Sequence, residues 1–234
     1  MLQRYLWKLL PKSQRSFLLG RLSVVDRQVV NKSMSANCRF PEAFTQRGCL
    51  FIHVPKCAGS SICVGLFDGY SPGHLPLYWY EEQFAQQYAA SFKFAFVRDP
   101  LERAYSAYAF LRGNTLGSRD HAAQKLVGQY RDFDDFVVRW LHPENITRQL
   151  HFAAQTDFLT DSLGHLAMDF IGYQEYLERD YQRVCEYLGL AATLPHVNRT
   201  RQRVVVPVRD ICSVRTRRLV RRVYQRDYEM LGYE

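Results

Sequence analysis

Short apolar runs set between helical periodicities organise this chain. CLFIHV (Cys49–Val54) and FKFAFV (Phe92–Val97) have the length of buried strands, and each turns directly into a helix. The first is followed by PKCAGSS and a helical stretch from Ser61 to Phe67. After the second, Asp99 is a natural N-cap, Pro100 fits the first helical position and Glu102 completes a capping-box pattern. That helix is expected to reach about Arg112, where Gly113-Asn114 ends it. A third strand is expected at MDFIGY (Met168–Tyr173). The helix after it carries Leu177, Tyr181, Val184 and Leu188 on one face and stops at Gly189. RVVVPV (Arg203–Val208) reads as a fourth, edge strand, since Pro207 removes a ladder donor. Phe133, Phe136, Val137 and Trp140 mark an amphipathic helix in the middle of the chain. A last helix from about Asp210 places Val220, Tyr224, Tyr228 and Leu231 at helical spacing.

Strands alternating with helices predict an α/β fold, with a mainly parallel central sheet flanked by helices. No internal repeat or low-complexity linker interrupts the chain. A single domain over residues 1–234 follows, with a polar, weakly periodic helical lead-in over 1–47 and a core over 48–234. Ligands of such folds bind beyond the carboxyl ends of the strands, where both PKCAGSS and the Arg98-Asp99-Pro100 segment fall.

Composition adds limits. A length of 234 residues with 47% hydrophobic and 23% charged residues is that of an ordinary folded domain. No run approaches the ~20 apolar residues that span a bilayer. MLQRYLWKLLPK has basic residues inside a short apolar patch and no small-residue cleavage site, so it does not read as a signal peptide. It reads as an amphipathic helix packed on the domain or, alternatively, as a membrane-surface anchor. The six cysteines show no metal-ligand spacing and read as free thiols in a reducing, cytoplasmic setting; no metal site is expected. The net charge of +8 is uneven, with ten arginines and the single acid Asp210 between Arg199 and Arg226. Such a field favours an anionic partner without choosing among nucleotide, acidic glycan, nucleic acid and lipid.

In FIHVPKCAGSSI a buried strand leads into Pro55 and Lys56, then into Ala58, Gly59, Ser60 and Ser61, whose small side chains let a charged ligand approach the backbone. Their amides, the positive end of the following helix and the Lys56 charge make an anion pocket. The lysine precedes the small residues, so this is not a Walker A loop. An ordinary strand-to-helix turn with an exposed lysine is the competing reading. In FAFVRDPLERAYSAY, Arg98 at the strand end and Ser106 two turns into the helix can converge on one phosphate. Arg98 is equally placed to pair with Asp99 or Glu102, and Ser106 to serve packing.

Together the two segments resemble the nucleotide-binding signatures of sulfotransferases that use 3′-phosphoadenosine-5′-phosphosulfate (PAPS). The first resembles the HxPKxxGxS form of the 5′-phosphosulfate loop in carbohydrate O-sulfotransferases; the second resembles the 3′-phosphate motif RxPxxRxxSxY. Their order and their separation of about forty residues also match. Weaker similarity continues through QTDFL (Gln155–Leu159), Asp169–Leu190, LPHVNRT (Leu194–Thr200) and YQRDYEMLGY (Tyr224–Tyr233). The resemblance implies a P-loop-like fold and a sulfuryl donor, PAPS. Lys56 would be the catalytic lysine on the leaving phosphate, with Pro55, Lys56, Cys57, Ala58, Gly59, Ser60 and Ser61 around the phosphosulfate. Arg98 and Ser106 would hold the 3′-phosphate, and Thr200 would contact the nucleotide. Cys57 departs from the family pattern, which has a hydroxyl there; beside Lys56 it is a candidate for a depressed pKa and redox sensitivity.

Sulfuryl transfer to a hydroxyl needs a base. His74 lies between the two motifs, where uronosyl 2-O-sulfotransferases have a catalytic histidine, and an imidazole titrates in the right range. A surface loop histidine is the plain alternative, Glu81 and Glu82 are competitors, and His53 reads as buried and structural. The resemblance implies a carbohydrate hydroxyl as acceptor, without nucleic acid. A nucleotide-dependent kinase would need a metal-binding acid at a strand end, which no Walker B pattern supplies. A basic module gripping nucleic acid or an anionic surface would rest on Arg199–Arg226, which lacks a stacking signature. Arg215, Arg218 and Arg222 share one helical face, and a solvated face accounts for them.

Overall fold

In the computed structural model the chain is described over residues 6–7, 9–34, 38–113, 117, 120–191, 193–195 and 206–234. Strands β1 (Cys49–Ile52), β2 (Phe92–Val97) and β3 (Phe170–Tyr173) form one parallel sheet in the order β1-β2-β3. Before β1 come α1 (Lys12–Arg21), α2 (Val24–Ser33) and α3 (Glu42–Arg47). Between β1 and β2 lie α4 (Gly59–Phe67), α5 (Leu77–Gln83) and α6 (Ala85–Ala90). β2 and β3 are separated by α7 (Pro100–Leu111), α8 (His121–Val127), α9 (Phe133–Arg139), α10 (Pro143–Ile146) and α11 (Thr156–Leu159). α12 (Leu177–Tyr187), α13 (Val208–Ile211), α14 (Val214–Val223) and α15 (Gln225–Leu231) follow.

Every residue of β1 is buried, as a parallel strand covered on both faces requires. Ile52 pairs with Ala95 and Val97 with Tyr173, so the turns after β1 and β2 emerge at the same edge of the sheet. This α/β architecture, a parallel sheet flanked by helices, is the expected one. The core has two parts. One surrounds the sheet with Phe51, Phe94, Trp79, Tyr80, Tyr181 and Val184, and includes Val25 of α2 and Phe44 of α3. The lead-in therefore supplies core residues, each of which stabilises the fold by about 1.5–3 kcal/mol. α1 contributes no buried residue and leaves Phe17 and Leu18 exposed. The second part packs α7, α9, α14 and α15 through Leu101, Phe136, Trp140, Val220, Tyr224 and Tyr228.

The sequence-expected capping is met with one exchange. Asp99 accepts the Glu102 amide at 2.9 Å, but the return bond of a capping box is absent. Glu175, from the turn after β3, takes the Asp99 amide instead at 2.7 Å. Glu102 is thereby free to accept the Val208 amide at 2.8 Å. That bond corrects the expectation of an edge strand at Arg203–Val208. Its residues 203–205 lie outside the described ones, and Pro207 leads into α13 rather than ending a strand. The proline fixes φ near the value a helix entry needs, and the next amide finds a carboxylate instead of a ladder partner. The expected single last helix is also broken. Ser213 caps α14 by accepting the Thr216 amide, and Tyr224 leaves helical geometry between α14 and α15. Its hydroxyl donates to the Phe152 carbonyl at 2.7 Å, which fixes the bend.

Candidate functional site

The turn after β1 is bent by two residues in the left-handed region, Lys56 (φ 69°) and Ala58 (φ 62°). Each such residue without glycine's freedom costs on the order of 1–2 kcal/mol. Strain of this kind persists only where packing enforces it, and it clusters at ligand clamps. The bend brings the chain to the N-terminus of α4, whose first amides have no partner within the helix. Gly59 is obligatory here, because a Cβ would run into the His53 ring.

Lys56 makes no ion pair among the described residues. Its Nζ lies 4.0 Å from the centroid of the Phe110 ring of α7. Burial, reinforced by the nearby Arg98 charge, lowers its pKa to about 8. The lysine is thus cationic at neutral pH and costly to keep so, which makes it ready for an anion. Two imidazoles cover one side of the loop. The His53 and His74 rings lie 4.4 Å apart, and His74 Nδ1 is 2.7 Å from the His53 carbonyl. A carbonyl only accepts, so His74 Nδ1 carries the proton and Nε2 the lone pair. Burial pulls the His53 pKa down to about 3 and lowers that of His74 below the ordinary imidazole value. His53, wedged against Gly59, is structural.

Arg98 begins the second half of the site. Its guanidinium reaches Glu102 at 3.3 Å, so the pairing weighed from sequence is formed, while its Nε is buried without a partner. Ser106 stands one turn beyond Glu102 on α7. Glu102 thus engages one Nη of the guanidinium and leaves the Nε without a partner. Thr200 lies outside the described residues.

Three residues that sequence reasoning left without a role join the halves. Gln155, fully buried, accepts from the Arg98 amide at 3.0 Å and from the Cys57 thiol at 3.2 Å, and donates to the Arg98 carbonyl at 2.8 Å. Asp227 of α15 in turn accepts the amides of Gln155 and Thr156, each at 2.9 Å, and the Thr156 hydroxyl at 2.8 Å. The third, Arg103, is completely buried, donating to the Ala153 carbonyl at 2.7 Å. All three lie in segments that carry the resemblance: Gln155 in QTDFL, Arg103 as the second arginine of RxPxxRxxSxY and Asp227 in YQRDYEMLGY; the motifs alone assign none of them a partner. The expectation of a reactive Cys57 is overturned: burial pushes its pKa up to about 12 and Gln155 takes its S–H. Glu81 is occupied at the Ser162 amide, 2.8 Å away, and Glu82 is exposed. Arg215, Arg218 and Arg222 are exposed on α14 while Thr216 and Val220 of the same helix are buried, as a solvated face requires.

The parallel α/β sheet brings a strained, lysine-bearing turn and a strand-end arginine to one edge, the edge at which ligands of such folds bind. The model of the sulfotransferase family matches residues 76–234, and the chain belongs to that family. The match includes Arg98, Ser106 and Gln155 and begins after Lys56 and His74. No curated protein and no solved structure matches. Among the described residues, no helix is long and apolar enough to cross a membrane.

Proposed function

We propose that the protein transfers a sulfuryl group from PAPS to an acceptor hydroxyl, most naturally that of a carbohydrate. The observation that carries this reading is the Gln155 bridge. It locks the Lys56 turn and Arg98 into one rigid unit, with two anion-binding ends that suit a nucleotide bearing phosphate at both 5′ and 3′ positions.

In this reading Pro55, Lys56, Cys57, Ala58, Gly59, Ser60 and Ser61 surround the phosphosulfate, chiefly through backbone amides. Arg98 and Ser106 take the 3′-phosphate, with Thr200 as a further nucleotide contact. Transfer runs in line through a loose transition state in which positioning and electrostatics do most of the work. The acceptor oxygen bonds to sulfur as the bond from sulfur to the 5′-phosphate oxygen breaks. Lys56, already desolvated, neutralises the charge that grows on that oxygen. His74 Nε2 takes the acceptor's proton. The exposed arginines of α14, a helix that carries no acid, suit an acidic glycan.

Titration with adenosine 3′,5′-bisphosphate, ATP and a generic oligonucleotide separates this reading from its rivals. Preference for the bisphosphate supports it. Preference for ATP would indicate a kinase, and preference for the oligonucleotide a nucleic-acid-binding module.

A further inference from the structure

A third histidine, with no part so far, shares the Phe110 ring with the Lys56 ammonium and lies within electrostatic reach of it. His151 Nε2 is 3.0 Å from the Asp120 carboxylate, and the Phe110 and His151 ring centroids are 5.5 Å apart. Phe110 is the same ring that carries the Lys56 ammonium. The carboxylate can only accept, so Nε2 holds the proton and Nδ1 the lone pair. That Nδ1 is buried and has no partner. An orphaned polar atom costs about 1–3 kcal/mol, and such atoms in native folds call for an explanation. The backbone here is fixed as well, since Arg103 donates to the His151 carbonyl at 3.4 Å.

We propose that His151, oriented by Asp120, is a second general base of the transfer, working beside His74. This rests on the sulfotransferase reading above. As the acceptor oxygen bonds to sulfur, its single proton passes to one of the two unprotonated ring nitrogens, His74 Nε2 or, in the parallel route, His151 Nδ1, and the electron pair of the breaking S–O bond goes to the 5′-phosphate oxygen next to Lys56. The imidazolium formed on His151 keeps its Nε2 proton on the Asp120 carboxylate, which stabilises it; the proton leaves to water after the sulfated product departs. His74 has only a neutral carbonyl behind its Nδ1. Of the two imidazoles, His151 is therefore the one whose cation is paired.

Four groups set its proton affinity. Asp120 raises it, Lys56 and Arg103 lower it, and His74 is close enough to interact with it. Burial is the largest influence and holds His151 below the ordinary imidazole value, in the base form at neutral pH.

The test is a rate-versus-pH series on His74→Ala, His151→Ala, the double variant and Asp120→Asn, each checked for unchanged adenosine 3′,5′-bisphosphate binding. A lone base would make His74→Ala lose its acidic limb. Two bases make it fall only about tenfold to a hundredfold with an acidic limb intact, and the double variant fall by roughly 10²–10⁴ without one. Asp120→Asn in the His74→Ala background moves the limb to lower pH, because the carboxylate that favours the protonated ring is gone. A His74→Ala enzyme already without a limb, or a His151→Ala enzyme with wild-type rate and profile, overturns the proposal. Imidazole ¹⁵N spectra test it without turnover: His151 must be the Nε2–H tautomer and must lose that preference in Asp120→Asn. Sulfuryl transfer that depends on Lys56 is the separate control. Its absence in the wild type sinks the sulfotransferase reading itself, and this proposal with it.

Discussion

Lys56 and Arg98 stand at the ends of adjacent parallel strands, yet their charges are kept in different company. Lys56 has a ring face beneath it, the His151 imidazole within reach and, among the described residues, no ion pair. Arg98 sits in a pair with Glu102 and is tied by its backbone to Gln155. A cation left unpaired in a desolvated place gains most from charge that appears only as a bond breaks. A cation already partly paired gains less from such charge, and its remaining donors suit a group that is charged from the start, such as a 3′-phosphate. On the proposed reading, the contrast assigns Lys56 to the end that accelerates and Arg98 to the end that holds.

The largest effect tests the accelerating end. Lys56→Ala is expected to lower turnover on the order of 10²–10³-fold, with much less loss of adenosine 3′,5′-bisphosphate affinity; a variant that keeps more than about a tenth of the rate would remove Lys56 from catalysis. The holding end should respond in the opposite way. Arg98→Ala and Ser106→Ala are expected to weaken the bisphosphate by about tenfold or more, the worth of one charge-assisted bond, and leave adenosine 5′-phosphate nearly untouched in calorimetry. Equal losses for both ligands would break the division.

Proton linkage sharpens the same contrast. A lysine with a pKa of about 8 is cationic below that value and neutral above it, so kcat/KM should fall as pH rises through about 8. Lys56→Arg, always charged, should lose that alkaline limb even if it is slower. The smallest effect concerns Glu102. Glu102→Gln relieves Arg98 of its counter-charge and should tighten the bisphosphate a few-fold, in line with the ~0–1 kcal/mol of a partly exposed pair. Weaker binding in that variant would mean that Glu102 positions Arg98 rather than competing for it.

What could be read along the chain was local. Apolar runs marked β1 and β2, and Asp99 and Pro100 marked the start of α7, because burial and capping leave their signals within a few residues. The Lys56 turn and the Arg98 motif were legible for the same reason. The parts that join them were not. Gln155 meets Arg98 across 57 positions and Cys57 across 98, and Asp227 meets Gln155 across 72. A glutamine and an aspartate carry no periodic or spacing signal for such contacts. Cys57 was misread because its neighbour in sequence is a lysine, whereas its neighbour in space is a glutamine in a dry interior. The bend at Tyr224 was hidden because both halves of the broken helix keep one apolar spacing.

The most direct measurement is transfer of ³⁵S from labelled PAPS to a panel of glycans and lipids, run with the wild type and Lys56→Ala side by side. The account expects label on a hydroxyl acceptor, foremost a glycan, with the wild type, and at most about a hundredth of that rate with the variant. No transferred label with any acceptor while adenosine 3′,5′-bisphosphate fails to bind, or equal transfer by both proteins, would contradict it.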